Sequence, residues 1–309
     1  MKNREKILIV GGTGFIGYHL ASRLVKKKFN VSSLSTKLPI KQRKVSKVKY
    51  LICDICNFAK LKKVLKEKDN YDYVINLGGY VDHSDKKNTY RSHFLGCKNL
   101  AKIFLKKKVT RFIQIGSSIE NGKKKSPQVE SFLTKENSIN STYGLAKYKA
   151  SQYLINLHKK FNFPAVVLRL YLIYGPKQDI NRFLPIIIKN CLNNTTFPCS
   201  TGKQFRDFLY ITDLINLIEK FLNKRSSLNG NIFNIGSGKP KNIKKIIQLI
   251  KKKVKGGKPL YGKIKLRKDE ITKLYPSLKK VKKYINWTPK VPFKQGLKKS
   301  IHYYEKHPK

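Results

Sequence analysis

Acidic residues are scarce in this 309-residue chain, which has 17 Asp and Glu against 68 Lys and Arg and a formal net charge of +51. Arginine is scarce as well, since ten of the basic residues are arginine and the rest are lysine, spread from residue 2 to residue 309. Nucleic-acid readers rely on arginine for bidentate contacts. We therefore interpret the charge as a lysine-rich solvated surface and expect no nucleic-acid partner. A non-catalytic basic nucleic-acid-binding protein is the remote alternative.

Cysteine is sparse too, and the chain has no long apolar run. Cys53 and Cys56 have the spacing of half a zinc site, but no second pair completes it, so we expect no metal. No apolar segment approaches the ~18 residues that cross a bilayer, and the N-terminus does not have the pattern of a signal peptide. These absences predict a reduced, cytoplasmic protein that does not bind a membrane. The five cysteines are Cys53, Cys56, Cys97, Cys191 and Cys199.

The chain opens with a pattern that is typical of dinucleotide binding. Residues 6–10, KILIV, are an apolar run that ends in glycines, and an amphipathic segment follows to Lys28. A strand, a tight turn and a helix in this order favour a pyrophosphate site. Gly11 and Gly14 would let the backbone approach the phosphates, and Gly17 would let the helix pack against the strand. Strands and helices alternate over about the first 170 residues, which predicts an α/β fold with a doubly wound parallel sheet.

The end of the second predicted strand, residues 30–34, indicates which cofactor binds. It lacks the acidic residue that holds the ribose of NAD in such folds. Ser35 and Lys37 follow instead, and Arg43 lies a few residues further on. Hydroxyls and cations suit a 2′-phosphate, so we expect NADP, with NAD as the alternative. The abundance of lysine offers a compositional reason for Lys37, whereas arginine is rare in this chain.

Two further strand ends complete the predicted cofactor site. Asp54 follows the third strand and is expected to contact adenine. Gly78 follows the fourth strand, where a small residue would let the cofactor pass. Neighbouring positions are assigned to the same site, namely Phe15, Ile16, Ile55 and Leu77.

Tyr143 and Lys147 are spaced for proton transfer. Residues four apart on a helix lie on one face, a turn from each other. A fixed ammonium beside a tyrosine lowers the pKa of its hydroxyl and suits the pair to acid–base work. Ser117 and Ser118 end the fifth predicted strand. Because ligands gather at the carboxyl ends of parallel strands, Ser117 can hydrogen-bond a substrate oxygen near Tyr143; a turn serine is the alternative.

Together these residues resemble the extended short-chain dehydrogenase/reductase family, in its nucleotide-sugar epimerase/dehydratase branch. The motifs follow the family's order over nearly the whole chain: GGTGFIG at 11–17, SS at 117–118, YGLAK at 143–147, LRLYLIYGP at 168–176, RDFLYITD at 206–213 and FNIGSG at 233–238. The resemblance implies a Rossmann domain that binds NADP at residues 1–175, with residues 207–236 folding back onto it. It also implies a smaller mixed α/β domain at residues 176–309 that binds a nucleotide diphosphate-sugar.

Residue roles carry over from the same resemblance. Tyr143 would be the catalytic acid/base, and Ser117 would be a second catalytic hydroxyl. Lys147 would hold the nicotinamide ribose and lower the pKa of Tyr143. Family members often dimerise through helices that correspond to residues 88–107 and 142–161, so a homodimer is expected. The residues expected to contact the substrate, two of them through its diphosphate, are Ser118, Arg182, Arg206 and Arg267.

Departures from the family's patterns indicate the reaction. The family's dehydratases follow the catalytic hydroxyl with an Asp-Glu pair, whereas Ser118 and Ile119 stand here. The C3/C5 epimerase/reductases carry a cysteine at the position of Ile119. The stretch at 76–84 resembles CDP-linked dideoxyhexose synthases. We therefore expect an NADPH-dependent reductase of the C4 keto group of a nucleotide-linked deoxysugar, in cell-surface polysaccharide biosynthesis. A nucleotide-sugar 4-epimerase is the alternative.

Overall fold

Strands and helices alternate along the chain in the computed structural model, which describes residues 4–66, 69–130, 136–222, 226–266 and 270–307. The strands are β1 (Lys6–Val10), β2 (Asn30–Ser35), β3 (Val48–Ile52), β4 (Tyr73–Asn76), β5 (Arg111–Ser117), β6 (Ala165–Leu170), β7 (Leu172–Tyr174), β8 (Thr196–Pro198), β9 (Phe205–Arg206), β10 (Phe208–Tyr210), β11 (Asn231–Ile235), β12 (Lys241–Asn242), β13 (Lys258–Leu260) and β14 (Lys273–Leu274). The α-helices are α1 (Phe15–Lys26), α2 (Phe58–Val64), α3 (Lys86–Tyr90), α4 (Gly96–Leu105), α5 (Thr142–Phe161), α6 (Phe183–Leu192), α7 (Ile211–Leu222), α8 (Ile243–Val254), α9 (Lys279–Ile285) and α10 (Phe293–Lys306).

A seven-stranded sheet forms the centre of the molecule. Its strand order is β11-β6-β5-β4-β1-β2-β3, and every pairing in it is parallel. The chain moves outward from β1 through β2 and β3, then returns to place β4 on the other side of β1. This reversal creates the crevice at the carboxyl ends of β1 and β4 where doubly wound sheets bind ligands. The predicted α/β fold with a doubly wound parallel sheet is confirmed.

Both faces of the sheet are buried, which explains the uninterrupted apolar runs of its strands. Ile7 and Ile9 pack into the core on one face, and Leu8 and Val10 pack into the core on the other. Side chains alternate between the faces of a strand, so a strand that is covered on both sides reads as continuously apolar. Helices on both faces therefore hold the strand ends, and the residues on them, in fixed positions.

Glycine is required at two points of the turn after β1. Gly11 has a φ of +78°, and a Cβ there would lie 3.1 Å from the backbone of Gly78 at the end of β4. A Cβ on Gly17 would lie 2.4 Å from the carbonyl oxygen of Gly11. A side chain at either position would push α1 and β4 away from the turn. The glycine spacing thus fixes how closely the first helix approaches the crevice.

The helix predicted at 88–107 has an irregular centre. It begins at Lys86, and a π turn at Arg91–Leu95 joins α3 to α4. The stretch 204–211, whose apolar pattern predicts one strand, forms two short strands, β9 and β10. The reason is Asp207, which is 1% exposed and accepts a hydrogen bond from Ser237 N at 2.6 Å. The buried Asp207 side chain interrupts the alternation of inward and outward side chains that one continuous strand would have.

The residues after β6 build small sheets beside the central one. β7 pairs with β10, β9 lies between β12 and β14, and β8 pairs with β13. β11 returns to the central sheet and lies beside β6. No helix in the described part of the chain is long and apolar enough to cross a membrane.

Candidate active site

The carboxyl end of β5 and the start of α5 bring three predicted residues together. Ser141 begins α5, where its Oγ accepts a hydrogen bond from Gly144 N at 3.0 Å, as N-cap residues do. Tyr143 therefore lies in the first turn of α5, and Lys147 lies one turn later. Tyr143 forms a hydrogen bond with the Ser117 side chain, and Lys147 Nζ lies 6.0 Å from the centre of the Tyr143 ring.

Burial controls the protonation of the tyrosine and the lysine. Desolvation raises the pKa of Tyr143, and the hydrogen bond with Ser117 opposes that shift. Lys147 is 3% exposed, and its Nζ donates a hydrogen bond to the Ile115 carbonyl at 2.8 Å. Desolvation lowers the pKa of Lys147 to about 8, although the charge of Glu120 opposes it. The net shift of the Tyr143 pKa is thus opposite to the expected lowering, because desolvation outweighs the hydrogen bond with Ser117 and the charge of Arg182.

Glu120 organises the turn that carries Ser117. Its Oε1 accepts a hydrogen bond from Ser117 N at 2.7 Å, and its Oε2 accepts one from Ser151 Oγ of α5 at 2.7 Å. Arg169 of β6 donates from Nε to the same Oε2 at 2.9 Å, and from Nη1 to Asn121 Oδ1 at 2.7 Å. The carboxylate therefore ties the turn after β5 to α5 and β6. Sequence reasoning missed it, because one glutamate in a turn carries no signal of burial.

Two histidines that the sequence analysis did not single out lie against Tyr143. The His83 ring is stacked on the Tyr143 ring, with ring centroids 4.0 Å apart and an interplanar angle of 16°. His93 of the π turn meets the same ring edge on, with a centroid distance of 4.9 Å. No spacing rule links two histidines ten residues apart to a tyrosine sixty residues later, so this cluster had no signal in the sequence.

A cleft of about 900 Å³ crosses the carboxyl ends of β1, β2 and β4, a size that suits a cofactor. Most of the predicted cofactor residues line it together: Gly11, Gly14, Ser35, Lys37, Arg43, Asp54, Ile55, Leu77 and Gly78. The remaining four are not among its lining residues. Lys147 lies on α5, and the other three lie deeper or beside the cleft. Phe15 packs into the core, Ile16 packs against that core, and Gly17 lies under the glycine turn.

The cleft fits a dinucleotide at two points. A Cβ on Gly14 would meet only the Gly11 carbonyl oxygen, at 3.4 Å, so the start of α1 faces space. Backbone N–H groups at a helix start favour an anion such as a pyrophosphate. Ser35 Oγ, at the end of β2, is buried and has no hydrogen-bond partner among the described residues. An unsatisfied hydroxyl at this strand end suits the adenosine ribose of a bound cofactor.

The charges expected at the 2′-phosphate differ in their surroundings. Arg43 donates from Nη2 to Asp179 Oδ1 at 2.8 Å and from Nε to the Lys177 carbonyl at 3.2 Å. Its side chain is 9% exposed. Lys37 is exposed on the same cleft. Arg43 therefore lines the cleft while it is paired with the Asp179 carboxylate. The sequence does not reveal this pair, because the two residues are far apart in the chain.

The predicted substrate residues have different surroundings. Arg182 precedes α6 and is exposed, and its charge opposes the desolvation that raises the pKa of Tyr143. Arg206 donates to the Ile271 carbonyl at 2.8 Å and forms an ion pair with Glu270. Desolvation lowers the pKa of Arg206. Ser118 is buried in the turn after β5. The predicted diphosphate contact Arg267 lies outside the described residues.

The described ranges of the chain contain no cluster of three His, Cys, Asp or Glu side chains that could hold a metal ion. All five cysteines are unpaired, and Cys53, Cys97, Cys191 and Cys199 are buried. Burial raises the pKa of these four thiols.

Known proteins share this architecture and these motifs. A dTDP-D-glucose 4,6-dehydratase of Dictyostelium discoideum is 30% identical over 258 residues, which are 75% of this chain. The chain spans 58% of that relative's length. A CDP-abequose synthase of Salmonella muenchen is 22% identical over 96% of this chain and 97% of that protein. The structure of a UDP-glucuronic acid 4-epimerase from Bacillus cereus, in complex with UDP-glucuronic acid and NAD, has a TM-score of 0.85 and 25% identity over 98% of this chain and 99% of that chain.

A sequence model of the NAD dependent epimerase/dehydratase family matches residues 7–236, from β1 to the end of β11. The match contains the glycine turn, Ser117, Tyr143 and Lys147. The chain therefore belongs to the NAD dependent epimerase/dehydratase family and is an enzyme of the extended short-chain dehydrogenase/reductase type.

Proposed function

We propose that this enzyme is an NADPH-dependent reductase of the C4 keto group of a nucleotide diphosphate-linked deoxysugar. One observation carries the choice of reaction. The turn 117–122 has a single carboxylate, Glu120, and that group is 0% exposed and bonded to Ser117 N, Ser151 and Arg169. Elimination of water needs an acid and a base beside the sugar. With Glu120 withdrawn into the protein, Tyr143 is left to exchange a proton with the substrate.

The residues around Tyr143 then have separate tasks. Tyr143 gives its proton to the carbonyl oxygen, which suits a tyrosine whose pKa is raised and which is protonated at neutral pH. The Ser117 hydroxyl donates a hydrogen bond to the same oxygen as negative charge develops. Lys147, fixed to the Ile115 carbonyl, is placed for the nicotinamide ribose. The bound nicotinamide cofactor supplies the hydride.

The substrate side of the proposal depends on the residues after β7. Arg206 and Arg267 are the proposed contacts of the diphosphate, because guanidinium groups pair well with phosphate oxygens. Arg182 is a further proposed contact of the substrate. We assign the nucleotide-sugar site mainly to residues 176–309 and the cofactor site to residues 1–175, with 207–236 completing the sheet. The 22% identity with a CDP-abequose synthase supports a deoxysugar substrate. The place in cell-surface polysaccharide biosynthesis is proposed from the family resemblance alone.

The finer assignments of cofactor, compartment and assembly belong to the same proposal. NADP is favoured because Lys37 and Ser35 stand where an acidic residue would hold NAD. Five free thiols suit the reducing cytoplasm. α4 and α5, which correspond to the dimer helices expected from the family, are the proposed homodimer surface.

The absorbance of the cofactor separates this function from a 4-epimerase. The purified enzyme would be mixed with a 4-keto-6-deoxy nucleotide sugar and NADPH, with NADH as the matched control. We expect a loss of absorbance near ~340 nm, with one cofactor oxidised for each sugar reduced. The loss should be faster with NADPH than with NADH. A parallel reaction would contain a nucleotide-linked hexose in place of the keto sugar. Inversion at C4 of that hexose with constant absorbance would establish the epimerase instead. Formation of a 4-keto sugar from a hexose would establish a dehydratase.

A further inference from the structure

The ring of Tyr143 is held between two imidazoles. His83 is stacked on it at 4.0 Å and 16°, and His93 meets it edge on at 4.9 Å and 78°. The two imidazoles also contact each other, with ring centroids 5.9 Å apart. Stacked and edge-to-face contacts are arrangements that aromatic rings prefer, and together they restrict rotation of the Tyr143 ring. Neither histidine has a part in the proton transfer described above.

The backbone is shaped to bring His93 to this place. His93 lies in the π turn Arg91–Leu95, where one extra residue changes which side chains face the sheet. The residue is 6% exposed. A Cβ on Gly79 would lie 1.8 Å from His93 Cε1, so the end of β4 has room for the imidazole only because glycine stands there. Two local irregularities, a π turn and a glycine, thus accommodate one ring.

The hydrogen bonds of His93 show that it does not carry a proton to the substrate. Its Nε2 lies 3.1 Å from the Tyr80 carbonyl oxygen, which can only accept, so Nε2 is the protonated nitrogen. Nδ1 is then a bare acceptor, and it is buried with no partner among the described residues. Desolvation lowers the pKa of His93 to about 2. Desolvation and the charge of Arg182 lower the pKa of His83 as well. Both rings are neutral at physiological pH.

We propose that His83 and His93 are positioning residues that clamp the Tyr143 ring and fix the direction of its hydroxyl toward Ser117 and the substrate oxygen. The effect on turnover rests on the proposed function, in which Tyr143 is the proton donor. His83 belongs to the segment between β4 and α3, and Tyr80 and Val81 of that segment line the cofactor cleft. The clamp therefore links the cleft wall to the orientation of the proton donor.

A fluorine label reads the clamp directly, without any substrate. 3-Fluorotyrosine placed at position 143 of the full chain gives one ¹⁹F signal that reports the rings packed around it. We expect His83→Ala to move this signal, and His83→Phe, which keeps a stacked ring, to leave it close to that of the unsubstituted protein. His83 is exposed, so both variants should remain folded, which the thermal midpoint checks. An unchanged signal in His83→Ala would overturn the clamp.

Turnover then tests the positioning role. We expect His83→Ala to lower kcat roughly tenfold or more while KM stays within about twofold, because misorientation affects the chemical step. His83→Phe should restore most of kcat. His93→Gln keeps a donor for the Tyr80 carbonyl but removes the ring edge, and it should also lower kcat. Equal losses in His83→Phe and His83→Ala would overturn the proposal, because they would assign the effect to the imidazole nitrogens.

The ¹⁹F measurement and the turnover measurement distinguish failure of the clamp from failure of the proposed function. If the enzyme fails to reduce a 4-keto sugar while the ¹⁹F signal responds as expected, the clamp stands and the substrate assignment fails. If the enzyme reduces the sugar and His83→Ala has unchanged kcat, the positioning role is overturned and the reductase stands.

Discussion

Glu120 and Arg169 form an ion pair inside the protein, with Oε2 and Nε 2.9 Å apart and side chains 0% and 3% exposed. Glu120 Oε1 accepts a hydrogen bond from Ser117 N, and Arg169 Nη1 donates one to Asn121 Oδ1. A buried pair is tolerated when its other hydrogen-bonding groups are satisfied in this way. The Glu120 carboxylate thus holds the backbone of Ser117 in place.

Removal of the Glu120 charge is expected to destabilise the fold. In Glu120→Gln the Arg169 guanidinium stays buried without its carboxylate, which costs about 3–5 kcal/mol of unfolding free energy. The matched control is Glu219→Gln, because the Arg23–Glu219 pair has side chains that are 43% and 16% exposed. That change should cost at most about 1 kcal/mol. Urea unfolding of both variants measures the difference, and equal costs would contradict the role given to Glu120.

Tyr143→Phe should affect turnover and leave cofactor binding intact. Deletion of a general acid lowers turnover by ~10²–10⁴-fold. Tyr143 is not among the residues that line the cofactor cleft. Single-turnover rates and the NADPH dissociation constant, measured on the same preparations, separate the two effects. Loss of NADPH binding would show that Tyr143 supports the cofactor instead of the proton transfer.

Lys147 gives the stability of the protein a specific pH dependence. Its pKa is lowered from 10.5 to about 8 in the folded protein. Between these values the unfolded chain holds a proton that the folded protein has lost, so unfolding free energy rises with pH there. We expect wild type to gain stability relative to Lys147→Met as pH rises from about 8 to 10.5. Below that window the difference should be constant. Denaturant titrations across the window test this, and a flat difference throughout would disprove the lowered pKa.

Glu270 competes for the arginine that we assign to the diphosphate. It forms an ion pair with Arg206, whose Nη1 also donates to the carbonyls of Phe205 and Ile271. These carbonyls hold the guanidinium in place without Glu270. Glu270→Gln should therefore bind a nucleoside diphosphate more tightly, and Arg206→Met should bind it more weakly. Calorimetric titration with CDP and UDP provides the measurement. Weaker binding in Glu270→Gln would mean that the acid positions Arg206.

The sequence predicts the parts of the site that local backbone chemistry encodes. The turn at 11–17 requires glycine partly for local reasons, since Gly11 has a φ of +78° and a side chain on Gly17 would meet the Gly11 carbonyl. Tyr143 and Lys147 share a face because helix geometry is regular. His93 could not be predicted, because a π turn has no reliable sequence pattern and shifts the helix face. The Glu120–Arg169 and Arg43–Asp179 pairs join segments far apart in the chain, so only the folded structure shows which charges are satisfied. The role of Arg43 at a 2′-phosphate stays a prediction, to which the structure adds the pairing with Asp179.

The bond between Arg43 and Asp179 connects the two proposed ligand sites. Arg43 lines the cofactor cleft, and Asp179 belongs to the segment that leads directly to Arg182 and α6. If Arg43 binds a 2′-phosphate and Arg182 contacts the sugar nucleotide, as proposed, one ion pair is shared between the cofactor and the loop that carries the substrate contact. Binding of either ligand would then change the affinity of the protein for the other.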